Sequence, residues 1–233
     1  FPYLFYRNDP AWIPPLRDEV RKQFDPKHNP FLDHCDFQLF LLRDGKKVIG
    51  RIAAFVDTLA ADFWEERIGL FGYFECVDDP EAAVLLLNAA KEWLDAKGCS
   101  RMRGPWSFVS QEWGMVVDGY EPSPVIMAPY NPPYYNDFLT SFGLQKVKDL
   151  LCWYISIAEG YQIPERIIRR TDRVAARWGI RVREIDIDSY DREVQILIEL
   201  SNASIIDNWG YSPVTEAEAQ AMARDLKAVI QPK

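Results

Sequence analysis

The feature that most constrains this sequence is a strand, helix and strand pattern in its first half. An apolar run predicts a strand over residues 68–77, and apolar side chains at three- and four-residue spacing predict a helix over residues 80–97. A second strand is expected from Ser100. Because a helix of this length lets two strands run side by side in the same direction, the pattern predicts a parallel βαβ unit within a mixed α/β fold.

The ends of this helix carry residues that favour helix initiation and termination. Asp79 is a suitable N-cap, and Pro80 suits the first helical position because its missing N–H would have no helical partner there. Gly98 can adopt the left-handed conformation that often ends a helix. These residues therefore predict the boundaries of the helix as well as its presence.

The rest of the chain predicts further strands and helices. Asp44-Gly45 lies between two apolar runs and is a strong two-residue hairpin signal. Thr215 and Glu218 have the spacing of a capping box. From these patterns we expect strands over residues 37–42, 47–57, 146–157 and 180–187, helices over residues 1–7, 16–24, 134–141, 164–178, 190–207 and 215–228, a connection over residues 58–66, and a short hairpin at residues 114–117 within a long loop.

The composition favours a folded protein without a nucleic-acid or membrane partner. Apolar residues make up 48% of the sequence and aromatic residues 14%, which is enough for a hydrophobic core. The formal net charge of −8 argues against general binding to nucleic acids or to anionic membranes, although it leaves room for a local basic patch. The longest nearly apolar run, residues 150–158, is too short to cross a bilayer.

Cysteine and histidine usage favours a cytoplasmic protein without a metal. The four cysteines form no C-x-x-C pair and no signal peptide is visible, so reduced thiols are expected. His28 and His34 lie near Asp33, Cys35 and Asp36, but their spacing fits no standard zinc pattern. We therefore predict a cytoplasmic location and no metal site.

The order of these elements resembles that of the GCN5-related N-acetyltransferase (GNAT) family. Two helices, an antiparallel hairpin, a third strand, a central helix, a fourth strand, a short helix and a final strand follow one another over about residues 1–157. Residues 131–155 also resemble the late motif of the family, in which Phe142-Gly143-Leu144 separates a short helix from a strand. The resemblance implies a mixed central sheet flanked by helices.

A second, partial match begins near Val182, where a strand and two helices resemble the start of another GNAT unit. The chain therefore looks like one unit plus the beginning of a second, an arrangement similar to the FemA/FemX-type aminoacyl transferases and other double-GNAT acyltransferases. The implied domains are a GNAT-like domain over residues 1–160, a basic helical linker over residues 161–180, and an incomplete second unit over residues 181–233.

The resemblance implies acetyl-CoA or another acyl-CoA as co-substrate. Members of the family hold its pyrophosphate on backbone N–H groups at the start of the central helix, in a loop that contains glycine. The implied cofactor-binding residues are Val77 and Asp79 at this corner and Asn131 in the late motif. In this sequence the corner, residues 77–82, has no glycine and carries three carboxylates that would repel a pyrophosphate.

The resemblance also implies candidates for proton transfer. Glu75 on the third strand lies where several enzymes of the family place a base, and Glu112 in the long loop is a second candidate. The alternative for Glu75 is a structural ion pair with Arg101 or Arg103. For the acid that protonates the leaving thiolate, the candidate is Tyr135 or its neighbour.

Aromatic residues after the fourth strand are candidates for substrate contact, because rings with polar tips suit a ligand cleft. They are Trp106, Trp113, Tyr130 and Tyr134. The alternative is that these rings only pack the loop. Residues 164–183 contain seven arginines, which form either an anion site or a solvated face that balances an acidic chain.

These features leave two main functions open. The first is a GNAT-type acyltransferase that moves an acyl group from acyl-CoA to an amine of a small molecule or peptide, with a homodimer as one possible assembly. The alternative is a non-catalytic GNAT-like module that has lost its CoA site and binds a ligand or a partner. Transfer from an aminoacyl-tRNA is a third hypothesis, which the acidic charge disfavours.

Overall fold

A four-stranded mixed sheet lies at the centre of the computed structural model. In chain order and in spatial order, its strands are β1 (Cys35–Asp44), β2 (Lys47–Asp57), β3 (Ile68–Cys76) and β4 (Arg101–Arg103). The first three strands are antiparallel neighbours, whereas β4 runs parallel to β3. The mixed α/β fold and the parallel βαβ unit predicted from the sequence are therefore confirmed.

The structure describes residues 1–108, 114–120, 124, 125, 128–156, 158 and 160–227. The chain divides into two units, one formed by Phe1–Gln145 with Val194–Lys233 and the other by Lys146–Glu193. The helices, in chain order, are α1 (Pro2–Phe5), α2 (Arg17–Gln23), α3 (Thr58–Trp64), α4 (Pro80–Ala96), α5 (Tyr134–Ser141), α6 (Glu165–Trp178), α7 (Tyr190–Ile205) and α8 (Glu216–Lys227). Within the described residues, no helix has the length and apolar character needed to cross a bilayer.

The central helix α4 begins and ends as its sequence predicts. The carboxylate of Asp79 accepts hydrogen bonds from the N–H groups of Glu81 and Ala82, and Gly98 follows the helix with a φ of 76°. Its apolar face is buried in the core formed with β2 and β3, and includes Leu86, Leu87, Ala90 and Leu94. Each buried leucine contributes about 2 kcal/mol to folding, so α4 is a major part of this core.

Three sequence predictions differ from the structure. No strand is present in the described residues of 146–157 and 180–187, or at residues 114–117. The side chains of Trp153, Tyr154 and Val182 are 84%, 90% and 98% exposed. Apolar residues supply a face that a strand can bury, but a strand also needs a neighbour for its backbone groups, and no such neighbour is present in the described part of the chain.

A helix also forms where only a connection was expected. The carboxylate of Asp57 accepts a hydrogen bond from the N–H of Ala60 and so caps the start of α3.

In the C-terminal part, the predicted capping box is present, because Thr215 N–H donates to Glu218 at 2.8 Å and Glu218 N–H donates to the Thr215 hydroxyl at 3.2 Å.

Candidate functional site

A bulge in β3 precedes the candidate base Glu75. The pairing of β2 with β3 changes register between Arg51 and Ala53, so that Tyr73 and Phe74 lie opposite Ile52. Tyr73 has a φ of 50°, a left-handed conformation that costs a side-chain-bearing residue about 1–3 kcal/mol. Because a bulge changes the direction in which the following side chains point, this distortion sets the orientation of Glu75.

The carboxylate of Glu75 is held by residues from three other parts of the chain. The Tyr6 hydroxyl donates to Glu75 Oε2 at 2.6 Å, and the Tyr135 hydroxyl lies 3.2 Å from the same oxygen. Arg51 Nη2 is 3.6 Å from Glu75 Oε1. The Glu75 side chain is 13% exposed, so it is largely buried but still reaches the surface of the protein.

The observed contacts of Glu75 differ from the structural ion pair with Arg101 or Arg103 that was expected as the alternative to a catalytic role. Its cation is Arg51 on β2, whereas Arg101 on β4 pairs with Glu66 at 3.1 Å. Arg103 instead lies 5.1 Å from the ring of Trp64. The expected pairing of Glu75 with the arginines of β4 is therefore wrong.

The surroundings of Glu75 change its protonation chemistry. Burial raises the pKa of Glu75, and the Arg51 charge and the two tyrosine hydrogen bonds only partly oppose this effect. Burial and the neighbouring Glu75 charge raise the pKa values of Tyr6 and Tyr135 as well, so that both phenols remain protonated donors. A carboxylate of raised pKa is suited to accepting a proton from a bound amine.

The tyrosines of α5 also bind the edge of β3 beyond the end of β4. The N–H of Cys76 donates to the Tyr135 hydroxyl oxygen at 2.7 Å, and the Tyr134 hydroxyl donates to the Cys76 carbonyl at 3.2 Å. These two side chains take the place of a neighbouring strand. Tyr134 therefore positions α5 beside Glu75, while Tyr135 bridges the strand edge and the carboxylate.

A cluster of three aromatic rings includes the tyrosine that binds this carboxylate from the N-terminal segment. The Tyr6 ring stacks on Trp12 with centroids 5.2 Å apart and meets the edge of Tyr130 at 5.6 Å. The Tyr130 hydroxyl in turn donates to the carboxylate of Asp9. The candidate substrate residue Tyr130 thus joins the Glu75 site through Tyr6.

Trp106 belongs to a different part of the sheet. Its indole lies 6.5 Å from Trp64 and 6.4 Å from Trp209 between ring centroids, and the backbone N–H of Trp106 donates to the carbonyl of Phe71 at 2.8 Å. A Cβ on Gly72 would lie 1.6 Å from the Trp106 carbonyl oxygen, so only glycine allows this approach. The other two loop candidates, Glu112 and Trp113, lie outside the described residues.

The start of α4 does not fit the pyrophosphate of an acyl-CoA. Its first N–H groups already have partners in the protein, since Glu81 and Ala82 donate to the Asp79 carboxylate and Ala83 donates to the Asp79 carbonyl. Pro80 has no N–H to offer, and Val77 N–H donates to Ile49 of β2 at 3.0 Å. A phosphate would have to displace a carboxylate that occupies its place and carries the same sign of charge.

Asn131 has a role in holding the loop that precedes α5. Its side-chain oxygen accepts a hydrogen bond from Val116 N–H at 2.8 Å, and its nitrogen donates to the carbonyl of Pro132 at 3.0 Å. Asn131 is buried, and these bonds use both ends of its amide group. The three residues proposed for the cofactor thus all make contacts within the protein.

Two residues of the site were missed by sequence reasoning. Arg51 carries a charge in the middle of a largely apolar strand, which is a weak local signal, and its position opposite Glu75 is set by the β2–β3 pairing, which the sequence does not specify. Its buried Nε has no hydrogen-bond partner in the described part of the chain. Tyr6 had no local signal, since it directly follows the short helix α1 and lies 69 residues before Glu75.

Comparison with known proteins gives two related sequences and a distant structural likeness. The chain is 38% identical over 224 residues to a bacterial ceramide synthase of Caulobacter vibrioides, and 33% identical over 231 residues to protein YghO of Escherichia coli. These matches cover 95% and 99% of this chain, but the chain spans only 58% of the length of either relative. No family model matches the chain.

Among solved structures, an aminoglycoside acetyltransferase from an uncultured soil metagenomic sample aligns with a TM-score of 0.39 and 11% sequence identity. The alignment covers 66% of this chain and 82% of the acetyltransferase. From α1 to α5, the order of helices and strands is the one that the resemblance implies except that α3 lies between β2 and β3, and the implied final strand is absent from the described residues of 146–157.

Proposed function

We propose that this chain is part of a GNAT-type N-acyltransferase in which Glu75 is the general base. The observation that carries the proposal is the largely buried Glu75 carboxylate, which is held by Tyr6, Tyr135 and Arg51 at the bulged end of β3. In the proposed reaction, Glu75 takes a proton from the acceptor amine, whose nitrogen forms the new C–N bond to the acyl carbon. The C–S bond of the thioester then breaks, and CoA leaves as its thiolate. Tyr6 and Tyr135 keep the carboxylate oriented and donate hydrogen bonds to its charged form.

The proposed acceptor is the amine of a small molecule or peptide, and a long-chain amino alcohol is the first to test. The relative in C. vibrioides is named a ceramide synthase, and a ceramide is a long-chain base acylated on its nitrogen. The proposed donor is an acyl-CoA. Because the start of α4 does not fit its pyrophosphate, we place the donor site elsewhere in the complete protein, and this chain contributes the acceptor side.

The test is the rate of N-acylation by the complete protein with a long-chain amino alcohol and a long-chain acyl-CoA. Glu75→Gln should lower kcat by about 10²–10⁴-fold because the amide cannot accept the proton. The matched control is Glu66→Gln, which removes a carboxylate from the surface ion pair with Arg101 and should leave the rate unchanged. Full activity of Glu75→Gln would exclude Glu75 as the base.

The pH dependence provides a second test of the same role. A general base must be ionised, and burial raises the pKa of Glu75. Carboxyl groups ordinarily have pKa values of about 4. As the pH is lowered, kcat/KM should therefore begin to fall at a pH above this ordinary range. An acid limb below this range would contradict the proposal.

The second candidate function is a non-catalytic GNAT-like binding module, and the capped start of α4 favours it. Calorimetric titration of acetyl-CoA into this chain and into the complete protein distinguishes the two. Binding by the complete protein alone agrees with a donor site outside this chain. If neither binds and no amine is acylated, the binding module becomes the better explanation.

A further inference from the structure

The helix α6 separates its charged and apolar residues onto opposite faces. At 3.6 residues per turn, five arginines fall on one side. They are Arg166, Arg169, Arg170, Arg173 and Arg177. Ile167, Ile168, Val174 and Trp178 fall on the other side. A basic face opposite an apolar face with a terminal tryptophan is the pattern of a helix that lies at a membrane interface.

Neither face of α6 is covered in the described structure. No residue of the helix is buried, and the apolar side chains Ile167, Ile168 and Trp178 are 47%, 47% and 70% exposed. Among the five arginines, the described structure forms one ion pair, between Arg169 and Glu165 at 3.3 Å, and both of its side chains are more than 70% exposed. The helix thus presents an apolar strip and a cationic strip together.

We propose that α6 docks on an anionic lipid surface, with its axis parallel to the membrane. The apolar strip would enter the boundary between headgroups and acyl chains, while the arginines would contact the lipid phosphates. A nucleic acid would use the arginines but leave the apolar strip in water, so a lipid surface accounts for both faces. The chain as a whole is acidic, with a net charge of −8, so most of its surface would repel an anionic partner. The five arginines of α6 lie together on one helix, and this helix is therefore the surface that favours an anionic partner.

This inference is independent of acyl transfer, because lipid binding by α6 requires neither Glu75 nor an acyl donor. It is tested with the complete protein in a vesicle flotation assay, using phosphatidylcholine vesicles with and without phosphatidylglycerol. We expect binding only to the vesicles with phosphatidylglycerol, and weaker binding at higher salt. Replacing Arg166 and Arg173 together by Gln should weaken binding at least tenfold, since each arginine near an anionic surface contributes roughly fivefold.

The matched control is Lys46→Gln with Lys47→Gln, which removes two exposed positive charges from the β1–β2 turn. This variant should bind the vesicles as the natural protein does. Ile167→Ser with Val174→Ser should also weaken vesicle binding about tenfold while leaving binding to heparin unchanged. For each variant, circular dichroism and the unfolding midpoint establish that the protein is folded.

Tryptophan fluorescence gives a direct readout of insertion. Brominated phosphatidylglycerol should quench part of the fluorescence of the natural protein, and this part should be absent in Trp178→Phe. Absence of binding to anionic vesicles by the complete protein would overturn the proposal. Vesicle binding that is insensitive to the serine substitutions would also overturn it, because it would indicate a general polyanion site. Protection of Trp178 from quenching in the complete protein would overturn it as well, because it would indicate that a protein surface covers α6.

Discussion

The helices α4 and α6 have similar sequence patterns but very different surroundings. Both repeat apolar residues on one side, and both are followed by a glycine with positive φ, Gly98 at 76° and Gly179 at 63°. Six residues of α4 are buried against the sheet, whereas none of α6 is buried. Only α4 has a side-chain N-cap, since α6 begins at Pro164 without one.

The comparison teaches that helical periodicity predicts a helix without predicting what covers its apolar face. The apolar face of α4 meets β2 and β3, which supply the partner that its leucines need. The apolar face of α6 has no such partner among the described residues, and its opposite face carries arginines. Burial and surface charge, rather than periodicity, separate a core helix from a candidate interfacial helix.

The largest expected effect is a core truncation in α4. Leu87 is fully buried, so Leu87→Ala should lower the free energy of unfolding by about 2–5 kcal/mol. The corresponding change in α6, Ile168→Ala, should cost less than about 0.5 kcal/mol because that side chain is 47% exposed. Urea denaturation measures both. An equally large loss for Ile168→Ala in the complete protein would show that α6 belongs to a hydrophobic core.

The next effect concerns α8, which is attached to the sheet by the partly buried His34. His34 Nδ1 lies 3.0 Å from Asp57 and its Nε2 lies 3.4 Å from Glu218. Burial lowers the pKa of His34, but the two carboxylates outweigh this and raise the pKa to about 9. The charged histidine therefore holds the start of α8 against the end of β2.

The sign of the pH dependence follows from this shift. Because the pKa of His34 is higher in the folded protein than its ordinary value of 6.5, its contribution is complete below pH 6.5 and disappears as the pH rises through about 9. We expect a loss of about 1–3 kcal/mol over this range, measured by urea denaturation at several pH values. His34→Gln should remove this part of the pH dependence, and an unchanged profile in that variant would contradict the assignment.

A smaller effect is expected at the cap of α4. Asp79→Ala removes the acceptor for two backbone N–H groups and should cost about 1 kcal/mol of unfolding free energy. Asp79→Ser keeps a capping oxygen without the charge and should be close to neutral. Thermal unfolding of the three proteins checks both expectations. A neutral Asp79→Ala would mean that the cap is not needed to hold the start of α4.

The smallest effect is at the glycines that end the two helices. Gly98→Ala should lower global stability by up to about 1 kcal/mol, because alanine is strained at positive φ and α4 unfolds with the core. Gly179→Ala introduces the same strain, yet it should change only the local opening of α6. Native-state hydrogen exchange distinguishes local from global opening. If both substitutions lowered the global stability equally, α6 would unfold with the core as α4 does, and the two helices would not differ in this respect.

Much of the fold could be read from the sequence because its signals are local. The bounds of α4 follow from Asp79, Pro80 and Gly98, and the β1–β2 turn follows from Asp44-Gly45. The strand predictions at residues 146–157 and 180–187 failed because a strand depends on a neighbouring strand, which a local pattern does not specify.

The sequence by itself determined the positions of the helices other than α3, the hairpin and the presence of an acidic residue at the end of β3. Only the tertiary structure decided what surrounds that residue. Tyr6 and Tyr135 lie 69 and 60 positions away from Glu75, and they reach it because β4 ends early and a bulge turns the strand. The protonation chemistry of Glu75 depends on burial and on these distant partners, which no local pattern encodes.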